Sequence, residues 1–211
     1  KDHEGDGITP SGIWKIDFIM TRPDRVKTFN NTNIHIRDTW SDDPNDPKYN
    51  HLSKANKLYS YENLWRSDPL YNLIAVTNFN RQFTKPGLGS AIFLHTWRRP
   101  RYPTEGCIAF SFQNLEWVLS NWDLKSRIII KDNYLFASFG DKGRGKNSQN
   151  PKTHNGSIIR INLDGSIPKD NPKFIDKPNW LPEIYQIGLR NPQGMTLYHF
   201  DNNIYISNHG A

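Results

Sequence analysis

The only cysteine of the chain, Cys107, lies in Thr104-Glu105-Gly106-Cys107-Ile108, twelve residues after His95, which closes the apolar run Ala91-Ile92-Phe93-Leu94. A thiol attacks an acyl carbon as its thiolate, and a nearby imidazole can take the proton and hold the anion. Gly106 has no side chain, so substrate can approach the backbone there. The amides around Cys107 can then face an oxygen that becomes negative. Residue types and spacing point to acyl transfer through a thioester, with Cys107 as nucleophile, His95 as base and Gly106 in the oxyanion turn. By composition alone a lone cysteine is more often an inert buried residue, so its surroundings decide.

Elements that could hold such a pair are legible nearby. Apolar, β-rich runs at Ile13 to Ile19, Leu73 to Val76, Ala91 to Leu94 and Arg127 to Ile130 predict strands. Leu115, Val118, Leu119 and Trp122 recur at helical spacing, with Ser111 or Asn114 as N-cap, and predict a short helix after the nucleophile. The order strand, His95, loop, Cys107, helix lets two elements of one sheet place thiol and imidazole side by side. Asp42 to Asn50 lacks the turn Gly and terminal Glu of an EF-hand, so it reads as a rigid loop beside a substrate groove rather than a metal site. Tyr49 and Asn50 at its end are expected substrate contacts, as are Thr104 and Arg98. Arg98 belongs with Arg99 and Arg101 to a basic loop suited to an anionic ligand. Trp40, Tyr59, Tyr61, Trp65 and Tyr71 are expected mainly in the core. His3, His35, His51, His154, His199 and His209 show no ligand spacing and are expected on surfaces or loops.

Composition narrows the function classes. At 211 residues the chain suits one domain and a fraction. With 36% hydrophobic residues it can form a core. No run approaches the ~18 apolar residues of a membrane span, and no export signal is visible at the start. One cysteine excludes an internal disulfide and a multi-cysteine metal site. A net charge of +6 favours an acidic partner. Nucleic acid is one such partner and the anionic cell wall another; no helix-turn-helix, zinc-finger or RNA-binding signature is present, so nucleic acid is not expected. Oligomeric state is left open.

Ordered motifs extend the reading beyond two residues. Glu4-Gly5-Asp6-Gly7-Ile8-Thr9-Pro10-Ser11-Gly12, Asp42 to Asn50, Leu64-Trp65-Arg66-Ser67-Asp68, Tyr71-Asn72-Leu73-Ile74, Gly89 to His95 and Pro103 to Ala109 follow one another over roughly 130 residues. Together they resemble the YkuD-type L,D-transpeptidase domain of bacterial cell-wall enzymes. The resemblance implies acyl transfer on peptidoglycan stem peptides without a cofactor, in the periplasm or cell envelope. Cys107 would attack the carbonyl of an L-residue followed by a D-residue. The commoner family pattern has His where Glu105 stands and Arg where Ala109 stands, so no carboxylate-binding Arg is carried over.

A second resemblance begins where the first stops. Tyr134 to Asp141, Asn155 to Pro168, Pro182-Glu183-Ile184-Tyr185, Gly188-Leu189-Arg190-Asn191-Pro192-Gln193-Gly194 and Ser207-Asn208-His209-Gly210 resemble soluble PQQ-dependent glucose/sorbosone dehydrogenases. It implies that Arg190 and Asn191 contact the quinone, with PQQ and calcium expected only if that segment were complete. Roughly 80 residues supply one or two blades of a six-bladed propeller, which cannot close a ring. The family's catalytic His falls in a stretch absent here. The expected architecture is mainly β: a YkuD-like sandwich or barrel with a short helix over 1–131, then one to two blade-like units over 132–211. The simplest account is a chimera truncated at both ends. A dehydrogenase fragment, or an inactive remnant that only binds cell wall, is the alternative to an active transpeptidase.

Overall fold

A computed structural model describes residues 1–27, 29, 32–99, 102–122, 126–198, 201 and 203–210. The chain forms two compact units, one of residues 1–10 and 16–120, the other of residues 11–15 and 121–211. In chain order the first strands are β1 (Gly12–Trp14), β2 (Ile16–Thr21), β3 (Thr32–Asn33), β4 (Asp38–Ser41), β5 (Leu52–Lys54) and β6 (Tyr61–Asn63). They are followed by β7 (Leu73–Thr77), β8 (Phe93–Thr96), β9 (Ile108–Phe110) and helix α1 (Phe112–Ser120). Then come β10 (Ile128–Lys131), β11 (Tyr134–Phe139), β12 (Ser157–Asn162), the one-turn helix α2 (Pro172–Ile175), β13 (Ile184–Ile187), β14 (Asn191–Tyr198) and β15 (Asn203–His209). The protein is mainly β, as its runs of β-branched and aromatic residues predict.

In the first unit a five-stranded sheet has the order β3-β2-β7-β8-β9, and a three-stranded sheet the order β5-β4-β6. Side chains alternate along β8, so Phe93 and His95 share one face and Leu94 and Thr96 the other. On the Phe93 face lies a cluster of Met20, Ile34, Trp40, Leu64, Tyr71, Ile74, Val76 and Phe93. Trp40 and Tyr71 both meet the Phe93 ring edge-on, at 5.0 and 6.1 Å between centroids. Helix α1 packs on β7, β8 and β9 and buries Leu115, Val118 and Leu119. Its start is capped as expected, with Asn114 N–H donating to Ser111 Oγ at 3.2 Å.

In the second unit all pairings of the sheet β1-β10-β11-β12-β13 are antiparallel, and β10 to β13 form a meander. That four-stranded pattern is the one a propeller blade uses. The hairpin β14–β15 packs against β1, β10 and β11. Ile129, Phe136, Ile158, Leu189 and Met195 form the core, with Ile13, Ile204 and Ile206 against it. Arg160 lies between the Tyr134 and Tyr185 rings, 4.9 and 4.8 Å from their centroids, and donates to Asn171 at 2.7 Å.

One sequence expectation changes. The run Ile13 to Ile19 is not one strand, because β1 and β2 join different sheets with Lys15 between them. Ile13 packs into the second core and Phe18 into the first, and their opposite parity puts them on opposite faces of any single strand. The expected junction at Lys131-Asp132 falls on a two-residue hairpin turn between β10 and β11. Asp132 and Asn133 there both take positive φ, as a type I′ turn demands.

Candidate active site

Strand β8 pairs parallel with β9, in the register Leu94↔Ile108 and His95↔Ala109. Cys107 stands immediately before β9, two residues ahead of Ala109 and so on its face. His95, Cys107 and Ala109 line one cavity of about 470 Å³ in the first unit. The nucleophile turn is held from two sides. Thr104 Oγ1 donates to the Cys107 carbonyl at 2.7 Å. Gly106 has φ +106°, and a Cβ there would stand 2.9 Å from the Ile8 carbonyl oxygen, so only glycine fits beneath the 4–8 loop. That loop is itself pinned by Asp6, which ion-pairs with the buried Lys1 ammonium at 2.7 Å and accepts from Ile8 N–H at 2.9 Å.

The pair is neutral at neutral pH. Burial pushes the Cys107 thiol up to about 12, against a smaller opposing effect from the Phe93 backbone. Burial likewise holds the His95 imidazole down at about 4. His95 Nδ1 lies 2.8 Å from the Thr96 carbonyl oxygen. A carbonyl only accepts, so Nδ1 carries the proton and Nε2 keeps the lone pair a base needs. The Tyr71 ring meets the imidazole edge-on at 5.4 Å, fixing its plane. In this resting state the thiol donates to the Ala91 carbonyl at 3.0 Å.

Opposite charges line the same cavity: Glu4, Asp42, Glu62 and Glu105 against Arg66 and Arg98. Burial raises the carboxyls of Asp42 and Glu62, and Glu4 beside Asp42 adds to the effect there. Arg66 pairs with Glu62 at 3.1 Å and with both oxygens of Asp68, at 2.9 and 2.6 Å. Of these charged groups Glu105 and Arg98 were singled out by sequence, Glu4, Asp42, Arg66 and Asp68 lie in the ordered motifs, and Glu62 lies outside them. Tyr71, expected in the core, is 7% exposed and also lines the cavity.

The remaining expected contacts divide. Arg98 and Thr104 line the cavity, although Thr104 spends its hydroxyl on the nucleophile turn. Arg98 is exposed and stacks on Tyr102, with the guanidinium carbon 5.1 Å from the ring centroid. Arg101 and His199 lie outside the described residues. Tyr49 and Asn50 are each 2% exposed and are not among the residues that line this cavity. The Tyr49 hydroxyl donates to Glu4 and accepts from Gly89 N–H, and Asn50 bonds inward on all sides. His154 lies in a loop, half-buried against Glu183 at 2.5 Å. Among the described residues no three His, Cys, Asp or Glu side chains are grouped to hold a metal ion.

Residues 1–130 match the model of the YkuD family, described as the L,D-transpeptidase catalytic domain. The chain belongs to this family. Residues 112–211 of this YkuD-family chain also match the glucose/sorbosone dehydrogenase model. Aldose sugar dehydrogenase YliI of Escherichia coli K12 is 35% identical over 77 residues, covering 36% of this chain and 20% of that protein. Quinoprotein glucose dehydrogenase B of Acinetobacter calcoaceticus is 34% identical over 87 residues, covering 32% of this chain and 18% of that protein. The chain thus spans about a fifth of the length of these curated relatives. The solved apo structure of the E. coli aldose sugar dehydrogenase is 21% identical, covers 69% of this chain and 37% of that one, and has a TM-score of 0.41.

Arg190 and Asn191 are placed by contacts within the second unit. Arg190, the cation that the resemblance offers to the quinone, ion-pairs with Asp141 and packs over Gly145 and Gly210. The backbone N–H groups of Arg190 and Asn191 both donate to Asn208 Oδ1 at 3.1 Å. Both residues stitch β14 to β15 and to the 141–145 loop, and no step is derived through that cofactor.

Proposed function

We propose that the YkuD-family unit transfers acyl groups between peptidoglycan stem peptides, with Cys107 as nucleophile and the cell envelope as its place of action. The observation that carries this reading is the convergence of Cys107 and His95 in one cavity from adjacent parallel strands. The thiol would leave the Ala91 carbonyl, give its proton to His95 Nε2 and attack the donor carbonyl carbon through sulfur. The oxyanion would lie against the backbone N–H groups of the Gly106–Cys107 turn. Collapse of the tetrahedral intermediate breaks the C–N bond, and the departing amine takes the proton from the imidazolium. An acceptor amine, or water, then attacks the thioester, passes its proton to His95 and returns the free thiol. A positioned imidazole of this kind is worth ~10²–10⁴-fold in rate.

The test is intact mass after exposure to a carbapenem, a β-lactam that opens on an activated thiol. One adduct per chain, abolished in Cys107→Ala, is the expected result. A chain that is folded and alkylated at Cys107 by iodoacetamide, yet forms no carbapenem adduct, would overturn the reading in favour of an inactive remnant. The match of residues 112–211 favours a dehydrogenase ancestry for the second unit. Quinone-dependent oxidation is the less supported activity because Arg190 is committed to Asp141.

A further inference from the structure

We infer that Asn50 is a positioning residue for the nucleophile, acting through the backbone of Ala91. Ala91 takes φ +53°, the left-handed region that an alanine occupies only when its surroundings impose it. Its N–H donates to Asn50 Oδ1 at 3.1 Å. On its other side the Ile92 carbonyl is fixed by Thr77, whose hydroxyl donates to it at 2.7 Å. Between these two anchors the Ala91 carbonyl points at Cys107 and accepts the thiol proton at 3.0 Å.

Asn50 is built to hold that turn. An asparagine side chain offers two donors and two acceptor sites, and all four are used. Oδ1 accepts from Trp40 Nε1 at 2.9 Å as well as from Ala91, and Nδ2 donates to the Phe79 and Asn80 carbonyls at 3.1 and 2.8 Å. Its own backbone is tied to Ser41 and Arg81. Trp40 and Phe93 lie in the core cluster against which Ala91 and Cys107 pack, so the relay is anchored in the rigid part of the unit. The consequence is a thiol stored in its protonated form, and attack requires the Cys107–Ala91 bond to open.

The inference rests on Cys107 being the nucleophile proposed above, but alkylation of the single cysteine reads the thiol's surroundings without any acyl chemistry. Intact mass would follow iodoacetamide modification of the full chain at pH 8. In Asn50→Ala the Ala91 carbonyl is freed, and alkylation should accelerate roughly three- to tenfold, the worth of one hydrogen bond. Adding Ala91→Gly should bring the rate back toward wild type, because glycine holds positive φ without help. Glycine at positive φ also relieves strain and firms the fold, so urea midpoints are read alongside, and an alkylation rate that simply follows global stability across the variants would overturn the inference. A folded Asn50→Ala alkylated at the wild-type rate, or a double variant no slower than Asn50→Ala, would overturn the inference. Should Asn50→Ala not fold, Ala91→Val decides: a β-branched residue abandons positive φ while Asn50 stays, and an unchanged rate refutes the relay. Carbapenem failure with the alkylation pattern intact would remove the proposed function and leave the relay standing.

Discussion

Replacing His95 by Gln should flatten the acid limb of the protein's stability. The imidazole is 4% exposed, and burial lowers its pKa from 6.5 to about 4. Between those values the unfolded chain binds a proton that the folded protein refuses, so stability falls as pH falls through this window and is fully present above it. At 1.36 kcal/mol for each tenfold change the loss is about 3 kcal/mol by pH 4. Urea midpoints for wild type and His95→Gln, taken from pH 7 to pH 4, isolate this effect, because the carboxylates common to both proteins cancel in the difference. With a urea dependence of ~1–3 kcal/mol per molar, the gap between the two midpoints should shift by about 1–3 M, narrowing as the wild type loses its neutral-pH advantage. Parallel curves across pH 7 to 4 would refute the argument, since His95 would then titrate alike in both states. The same buried, neutral imidazole with Nδ1 committed to Thr96 is what leaves Nε2 free as a base, so the stability measurement also tests the protonation state on which the mechanism depends.

Two further outcomes follow from the same geometry. Native Cys107 should react with iodoacetamide at pH 7.5 roughly 100-fold more slowly than in the urea-unfolded chain. A thiol pushed up to about 12 has far less thiolate, only partly offset by the greater nucleophilicity of a more basic sulfur; equal rates would contradict the desolvation of this half-buried thiol. Gly106→Ala should cost about 1–3 kcal/mol in urea unfolding and abolish the carbapenem adduct. The added Cβ meets the Ile8 backbone carbonyl at 2.9 Å with φ at +106°, and wild-type acylation in this variant would refute the close approach.

Local pattern carried a large part of the architecture. The strands β7 and β10 and the helix α1 appear within a residue or two of their apolar runs, and Ser111 caps the helix as its position suggests. β8 begins two residues later than its run and takes in His95, because its pairing with β7 extends from Phe93 to His95. Tyr49 and Asn50 show the limit of local pattern for a related reason. Polar residues in a loop look available from sequence, whereas here each is buried and satisfied by backbone groups distant in the chain, near residues 79–91.

The residues alone determined that one thiol and one preceding imidazole are the chemical candidates, and that the chain is mainly β. Periodicity and turn chemistry are short-range, so a window of a few residues contains them. Only the tertiary structure decided that β8 and β9 run parallel and bring His95 and Cys107 to one cavity, and that Ile13 and Phe18 serve different cores. It also decided that Ala91 is held left-handed by Asn50, forty-one positions earlier in the chain. These depend on strand register and on desolvation by distant neighbours, quantities set by contacts that no local stretch of sequence contains.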